Sequence, residues 1–452
     1  MKKIKIDDQI TTLRRILSRQ PADAKTLSSE LGISQPTFSR LWPAAGNDIC
    51  ILGAARSTRY ALTRPVRDLG STLPVYRIDA LGATHHFCDL IVLAGHWYAV
   101  QLSGSTETTL CEGLPTFMQD LRPQGFLGRT IPKDNADLDL PPDVLKWSDD
   151  DVLYYLARRG ENSMGNLLVG SESYRRYRQA LEKGAQDLIT ETDRYQRYPE
   201  LAGRALRGDL PGSSAGGEQP KFLATISGDE ADQPSRHVIV KFSAGIDTPG
   251  GRRWGDLLIA EHHALKTLEL HGIAAAKSDI LISQNRVFLE STRFDRQGLQ
   301  GRLPMLSLAG LAGETGALDK PWSYVANLLC NQRRFTPSDL DVIQLLDLYG
   351  ALIGNTDRHQ GNLSLSWGTG QQLSLLPCYD MLPMLYRPNT QGEVVDRRLT
   401  LDAMDKLDLR QLPRAAMLAG QFWTAVLADD RVSDDFKTVA RRHLDDAAPM
   451  MR

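Results

Sequence analysis

Ile10, Leu13, Ile16 and Leu17 fall on one stripe of a 3.6-residue period, which predicts an amphipathic helix over 9–19. A second short helix fits 25–31 and ends at Gly32, since glycine takes the left-handed helix stop without a Cβ penalty. Ser34 is placed to cap a third helix that runs through Phe38 and Leu41 and stops near Pro43. The runs 49–52 and 59–63, separated by the turn 53–58, read as a β-hairpin. Three helices and a hairpin in this order predict a winged helix-turn-helix over residues 1–65.

Beyond it the period shortens. Residues 75–78 and 90–93 read as strands between turn residues, which predicts a small α/β unit over 66–145. Residues 150–206 look mainly helical, with Leu153, Leu156, Leu181 and Leu188 as candidate core positions. Strands follow at 222–226, 237–242 and 286–290, with one helix over 256–271 between them. From about Leu306 helices dominate, broken by a loop-rich stretch at 354–390. The expectation is an α+β protein of four modules: 1–65, 66–145, a β-rich lobe at 146–305 and a helical lobe at 306–452. A chain of 452 residues is too long for one core, which agrees with that division.

Composition narrows the class. At 42% hydrophobic and 24% charged the chain is globular, and no apolar run approaches the roughly 20 residues of a membrane span. The start, Met1-Lys2-Lys3-Ile4-Lys5-Ile6-Asp7-Asp8, has no apolar core of a secretory leader. Five scattered cysteines without a C-x-x-C pair argue against a disulfide framework and a structural zinc site. The cytoplasm is therefore the expected compartment, with no membrane partner. The formal charge of −2 conceals an asymmetry: residues 1–62 carry ten Lys/Arg against five Asp/Glu, or +5, and the remainder carries −7. A basic end on an acidic body suggests DNA as a partner of the N-terminus. On the third helix Ser34, Gln35, Thr37, Ser39 and Arg40 are candidates to read bases, and Arg56 and Arg59 of the wing to hold phosphates. Winged helices also dock proteins, which is the alternative.

Four pieces in chain order carry the chemistry. Ser213-Ser214-Ala215-Gly216-Gly217-Glu218-Gln219-Pro220-Lys221 precedes a strand, and its glycines would let backbone N–H groups reach phosphate oxygens. By itself such a loop is equally a turn. Lys241 lies inside the apolar run 238–242 and requires an anion, either a nucleotide phosphate oriented with Glu261 or, from an edge position, solvent. Asn355-Thr356-Asp357-Arg358-His359-Gln360-Gly361-Asn362 sets Asp357 and Asn362 five residues apart, the spacing of a kinase catalytic loop. There the aspartate takes the substrate hydroxyl proton and the asparagine binds magnesium. Asp380, behind the apolar run 373–376, stands where a second magnesium ligand belongs, and His359 is the one histidine placed near phosphate. The pairs His85-His86 and His262-His263 are adjacent and cannot face one metal from a regular element.

The combination Gly-Gly-x-x-Pro-Lys, V-K-F-S, R-F-D-R at 293–296, N-T-D-R-H-x-x-N and Y-D resembles the HipA family of toxin–antitoxin kinases. The stretch 117–129, with Asp120-Leu121-Arg122-Pro123 and Gly125, is similar to that family's N-terminal subdomain. The resemblance spans about 70–440. It implies a two-lobed protein-kinase-like fold, ATP as donor with Mg²⁺, a protein substrate in the translation machinery, growth inhibition and an antitoxin partner. It also assigns Gly216, Gly217, Gln219 and Lys221 to a loop over the phosphates and Lys241 to holding them. Ser214, with Ser213 beside it, would be an autophosphorylation site whose modification expels that loop. Two departures stand out. Glu290-Ser291-Thr292 precedes R-F-D-R, where the family would place a glutamate immediately before it, and the chain carries a winged helix of its own. Two rival readings remain at this point: a DNA-binding regulator with a kinase-like sensor body, and a metal-dependent nuclease.

Overall fold

The computed structural model describes residues 2–53, 57–183, 188–209, 217, 219–228, 235–368, 372–400 and 407–447. Arg56, Ser213, Ser214 and Gly216 of the candidate residues lie outside them.

At the N-terminus three helices, Lys2–Leu17, Ala24–Leu31 and Gln35–Leu41, precede a hairpin of Ile49–Leu52 with Arg59–Leu62. The first helix begins a full two turns before the apolar stripe does, because its opening residues are mostly charged and their two isoleucines, Ile4 and Ile6, are not at helical spacing from one another. The other boundaries follow local chemistry. Asp23 caps the second helix through Thr26 N–H, and Gly32 closes it at φ 65°. Ser34 caps the third through Thr37 N–H. Leu13, Leu17, Leu27 and Phe38 fill the centre, and Phe38 meets Tyr60 of the hairpin edge-on at 4.9 Å.

This unit is fused to the next. Ala94 N–H donates to Leu62 O, Arg64 N–H to Val92 O, and the Arg64 guanidinium grips Asp150 at 2.5 and 2.8 Å. The neighbour is an antiparallel five-stranded sheet in the order Thr108–Glu112, Trp97–Leu102, Thr84–Val92, Thr72–Ile78, Leu167–Val169. The helix Asp149–Arg159, closed at its start by a Ser148–Asp151 capping box, packs on it. Two short strands, Leu167–Val169 and Leu188–Ile189, interrupt the stretch read as mainly helical. The first is buried on both faces, and a continuous apolar run of that length carries no period. Leu188 is not a core residue: it is 38% exposed, because the strand turns Ile189 inward instead.

A second five-stranded sheet has the order Ser278–Ser283, Arg286–Thr292, Arg236–Phe242, Lys221–Ile226, Leu188–Ile189, with only the last pair parallel. The long helix Pro249–Leu270, capped by Thr248, crosses it and starts two turns earlier than its apolar pattern. Below lie the helices Trp322–Asn331, Pro337–Leu352, Leu412–Ala428 and Asp434–Ala447 around Trp322, Tyr349, Phe422 and Trp423. A small sheet of Leu306–Ser307, Ser364–Trp367 and Leu373–Leu375 is set among them. The fold is mixed α+β. No helix among the described residues is long and apolar enough to cross a membrane.

Candidate functional site

The site begins with sheet register. In the second sheet Lys241 stands directly opposite Lys221, so two lysines share one face of an antiparallel pair. Like charges so placed repel, and both residues are buried. Burial, reinforced by the Lys241 charge, lowers the Lys221 ammonium to about 8. Its Nζ lies against Gly217: a Cβ there would sit 2.6 Å from it, and Gly217 has φ 87°. The left-handed backbone there favours glycine. Gln219 follows in the chain, its Nε2 buried and without an acceptor among the described residues.

Lys241 is held from two sides. Its Nζ donates to Glu261 Oε1 at 2.7 Å and Oε2 at 2.8 Å, and also to Asp380 Oδ1. Glu261 comes from the buried face of the long helix, and Asp380 from the loop after Leu373–Leu375. Burial opposes the Lys241 charge, but the two carboxylates outweigh it and raise the ammonium's pKa. Burial likewise works against ionised Asp380, and here Lys241 and Lys221 win, so its carboxyl lies below the usual range. Asp380 adopts φ 56°, a left-handed backbone that asparagine and aspartate tolerate better than other side chains. Its side chain remains 21% exposed.

The loop after Pro337–Leu352 supplies the rest. Asn355 is buried; its Oδ1 accepts the Asp357 N–H at 2.9 Å and its Nδ2 reaches Asp380 O at 3.4 Å. One amide thus ties the two acidic loops together. Asn362 Nδ2 donates to Asp357 O at 2.9 Å, which commits the nitrogen and leaves the amide oxygen as an acceptor. Burial and the nearby Asp380 charge push the Asp357 carboxyl up, in the direction that suits a proton acceptor. Arg358 bonds Asn355 O, and Gly350 gives it room: a Cβ there would lie 2.6 Å from Arg358 Cδ. His359 is at the exposed rim, its Nδ1 accepting Gly361 N–H and its carbonyl held by Trp322 Nε1. Tyr379 OH donates to Gly361 O at 2.8 Å and pairs with Ser364 Oγ, locking the loop from behind.

Lys221, Lys241, Glu261, Asp357, Asn362 and Asp380 are therefore gathered in one cleft, with Gly217 against it. Asp380 and Asn362 present two hard oxygen donors. Among the described residues no three or more His, Cys, Asp or Glu form a closed metal cage. A partial shell of two protein oxygens, completed by phosphate and water, fits magnesium.

Two motif segments have other work. Arg293 and Arg296 enclose Asp295 at 2.7–2.9 Å, and Asp295 accepts Gly165 N–H while Arg296 donates to Ser163 O and Gly165 O. That buried cluster fastens the second sheet to the first. Glu290 is occupied by Arg194, Arg236 and Tyr198 OH. Asn355 was not singled out from the sequence; an asparagine two residues before the loop's aspartate, able to accept its N–H, was the available signal.

Away from the cleft, Gln35, Thr37, Ser39 and Arg40 share the exposed side of the third helix. Ser34 is tied to Thr37 through its cap, and Arg59 lies 3.7 Å from Asp23.

Residues 69–178 match the family model "YjjJ-like toxin, middle domain" and residues 213–446 the model "HipA-like C-terminal domain". Toxin YjjJ of Escherichia coli (strain K12) is 38% identical over 438 residues, which cover 96% of each chain. Among solved structures, one of the Shewanella oneidensis MR-1 toxin–antitoxin system HipA, HipB and its operator DNA matches with TM-score 0.48 and 13% identity, over 84% of this chain and 96% of that one. A Helicobacter pylori proinflammatory kinase, CtkA, matches with TM-score 0.33 and 13% identity, over 48% of this chain and 87% of that one.

Proposed function

We propose that this chain, which belongs to the HipA-like toxin family, is an ATP- and magnesium-dependent kinase that phosphorylates serine or threonine in a protein. The observation that carries the reading is the Lys241 ammonium shared between Glu261 and Asp380, beside a loop that presents Asp357 and Asn362. A buried lysine held by a helix glutamate is what phosphoryl transfer requires to orient donor phosphates. Lys221 and Gly217 would flank the same phosphates, and Asp357 would accept the hydroxyl proton of the substrate. Asp380 and Asn362 would hold Mg²⁺, which when bound neutralises charge on the phosphate oxygens. Positioning and charge then supply most of the rate. In this reading the second sheet and the helices below it are the two lobes, divided near residue 305, and the middle sheet is a distinct module.

The test is incubation with γ-labelled ATP and Mg²⁺ beside Asp357→Ala, followed by mass spectrometry. Label on the wild type, at Ser213 or Ser214 if the loop is the switch, and none on the variant is expected. A wild type that neither binds ATP nor takes label would sink the proposal in favour of a DNA-binding regulator.

The N-terminal helices and hairpin are proposed as a winged helix-turn-helix that binds DNA, with Gln35, Ser39 and Arg40 toward the bases. The exposure of those side chains and the local +5 charge support this. Arg40→Ala is expected to weaken retention of operator DNA about tenfold, measured by titration at several salt concentrations. An unchanged affinity and salt slope would remove Arg40 from the interface. Growth inhibition, an antitoxin partner and a substrate in the translation machinery complete the proposal.

A further inference from the structure

The first sheet's domain reaches the cleft at two points through a single short segment. Gly125–Gly128 is one turn of helix, and the N–H groups of a first turn have no partner within the helix. The Phe126 N–H finds one in Gly217 O at 2.9 Å. Gly217 is the glycine pressed against Lys221, so this bond fixes the backbone on which the lysine rests. The Phe126 ring packs at the same time against the core of the second sheet.

Six residues earlier the segment grips the other side. Asp120 accepts Ser307 N–H at 2.5 Å and Ser307 Oγ–H at 2.6 Å, one on each carboxylate oxygen. Ser307 is in register with Ser364, and Leu308 N–H donates to Leu363 O. Those residues follow Asn362 directly, and Ser364 Oγ bonds Tyr379 OH beside Asp380. Gly217 and Asn362 are far apart in the chain, yet both are tied to residues 120–126.

We propose that the segment Asp120–Phe126 is a positioning brace for the phosphotransfer site: Phe126 sets the glycine loop at Gly217, and Asp120, through Ser307, sets the catalytic loop at Asn362. The brace rests on the kinase reading. It makes the middle domain part of the enzyme rather than an appendage, and it divides the labour between nucleotide binding and turnover.

The experiment uses the full chain and four variants. Phe126→Pro deletes the N–H in a first helical turn, where a proline ring is tolerated, and Phe126→Leu keeps both the donor and an apolar side chain. Asp120→Ala deletes both acceptors, and Asp120→Asn retains one. Phe126→Pro is expected to raise KM for ATP at least tenfold with kcat within twofold, and Phe126→Leu to behave as wild type. Asp120→Ala is expected to lower kcat at least tenfold with KM within twofold, with partial recovery in Asp120→Asn. Deuterium exchange supplies a readout that does not need turnover. It should quicken only in 219–222 for Phe126→Pro, and only in 306–308 and 361–366 for Asp120→Ala. A wild type without transfer would defeat the kinase reading, and exchange alone would then judge the brace. Wild-type exchange in both variants, or a uniform loss of protection with KM and kcat moving together, would overturn it.

Discussion

Asp380→Asn is expected to lower label transfer from ATP by at least about 10³-fold, equivalent to roughly 4 kcal/mol of lost transition-state stabilisation. The substitution keeps the side chain's shape and suits the left-handed backbone at φ 56° as well as aspartate does. It removes only charge. Lys241 retains both bonds to Glu261, so the lysine is not left alone in a buried site. What disappears is the anion that opposes Lys221 and Lys241 and that, in the proposed reading, holds Mg²⁺; the amide keeps a single neutral oxygen. The protein should therefore unfold near the wild-type temperature while turning over almost nothing. Initial rates of labelled phosphate transfer, with a thermal melt beside them, check this directly. Full activity in the folded variant would mean that Asp380 has been given the wrong role.

The loop 355–362 is legible in the sequence because its motif is local: Asp357 and Asn362 sit five apart whatever surrounds them. The short N-terminal helices were legible for a similar reason, since Gly32 and Ser34 act within one turn of their own position. From the sequence alone Lys241 suits either phosphate binding or an edge position. Register rules out the edge position, because Lys241 pairs with both Lys221 and Leu289 and so lies in a central strand. No pattern in the chain reports that two lysines face each other across a sheet. The partners of Glu290, and the Gly165 N–H that Asp295 accepts, were hidden for the same reason: they come from residues 54 to 130 positions away in the chain. Periodicity also failed at polar helix starts and in apolar runs as short as Leu167–Val169, where helix and strand look alike.

Lys221→Met should move stability and binding in opposite directions. In the folded protein burial and the Lys241 charge lower the Lys221 ammonium to about 8, against about 10.5 when unfolded. The unfolded chain thus binds the proton more tightly, and wild-type stability gains as pH rises from about 8 to about 10.5. Below about pH 8 the folded state carries the whole cost of the charged amine, up to about 3 kcal/mol. Methionine keeps an unbranched stem of similar length and has no charge. At pH 7 the variant should accordingly melt at a higher temperature than wild type, and the gap should narrow between pH 8 and 10. In the proposed reading the Lys221 ammonium meets phosphate, so nucleotide binding should suffer: ATP affinity is expected to fall at least about tenfold, the worth of one charge-assisted contact. Melting curves at pH 7 and 9.5 and calorimetric titration with ATP measure the two effects separately. A variant that is less stable at pH 7 and binds ATP as tightly as wild type would show that Lys221 serves the fold and not the phosphates.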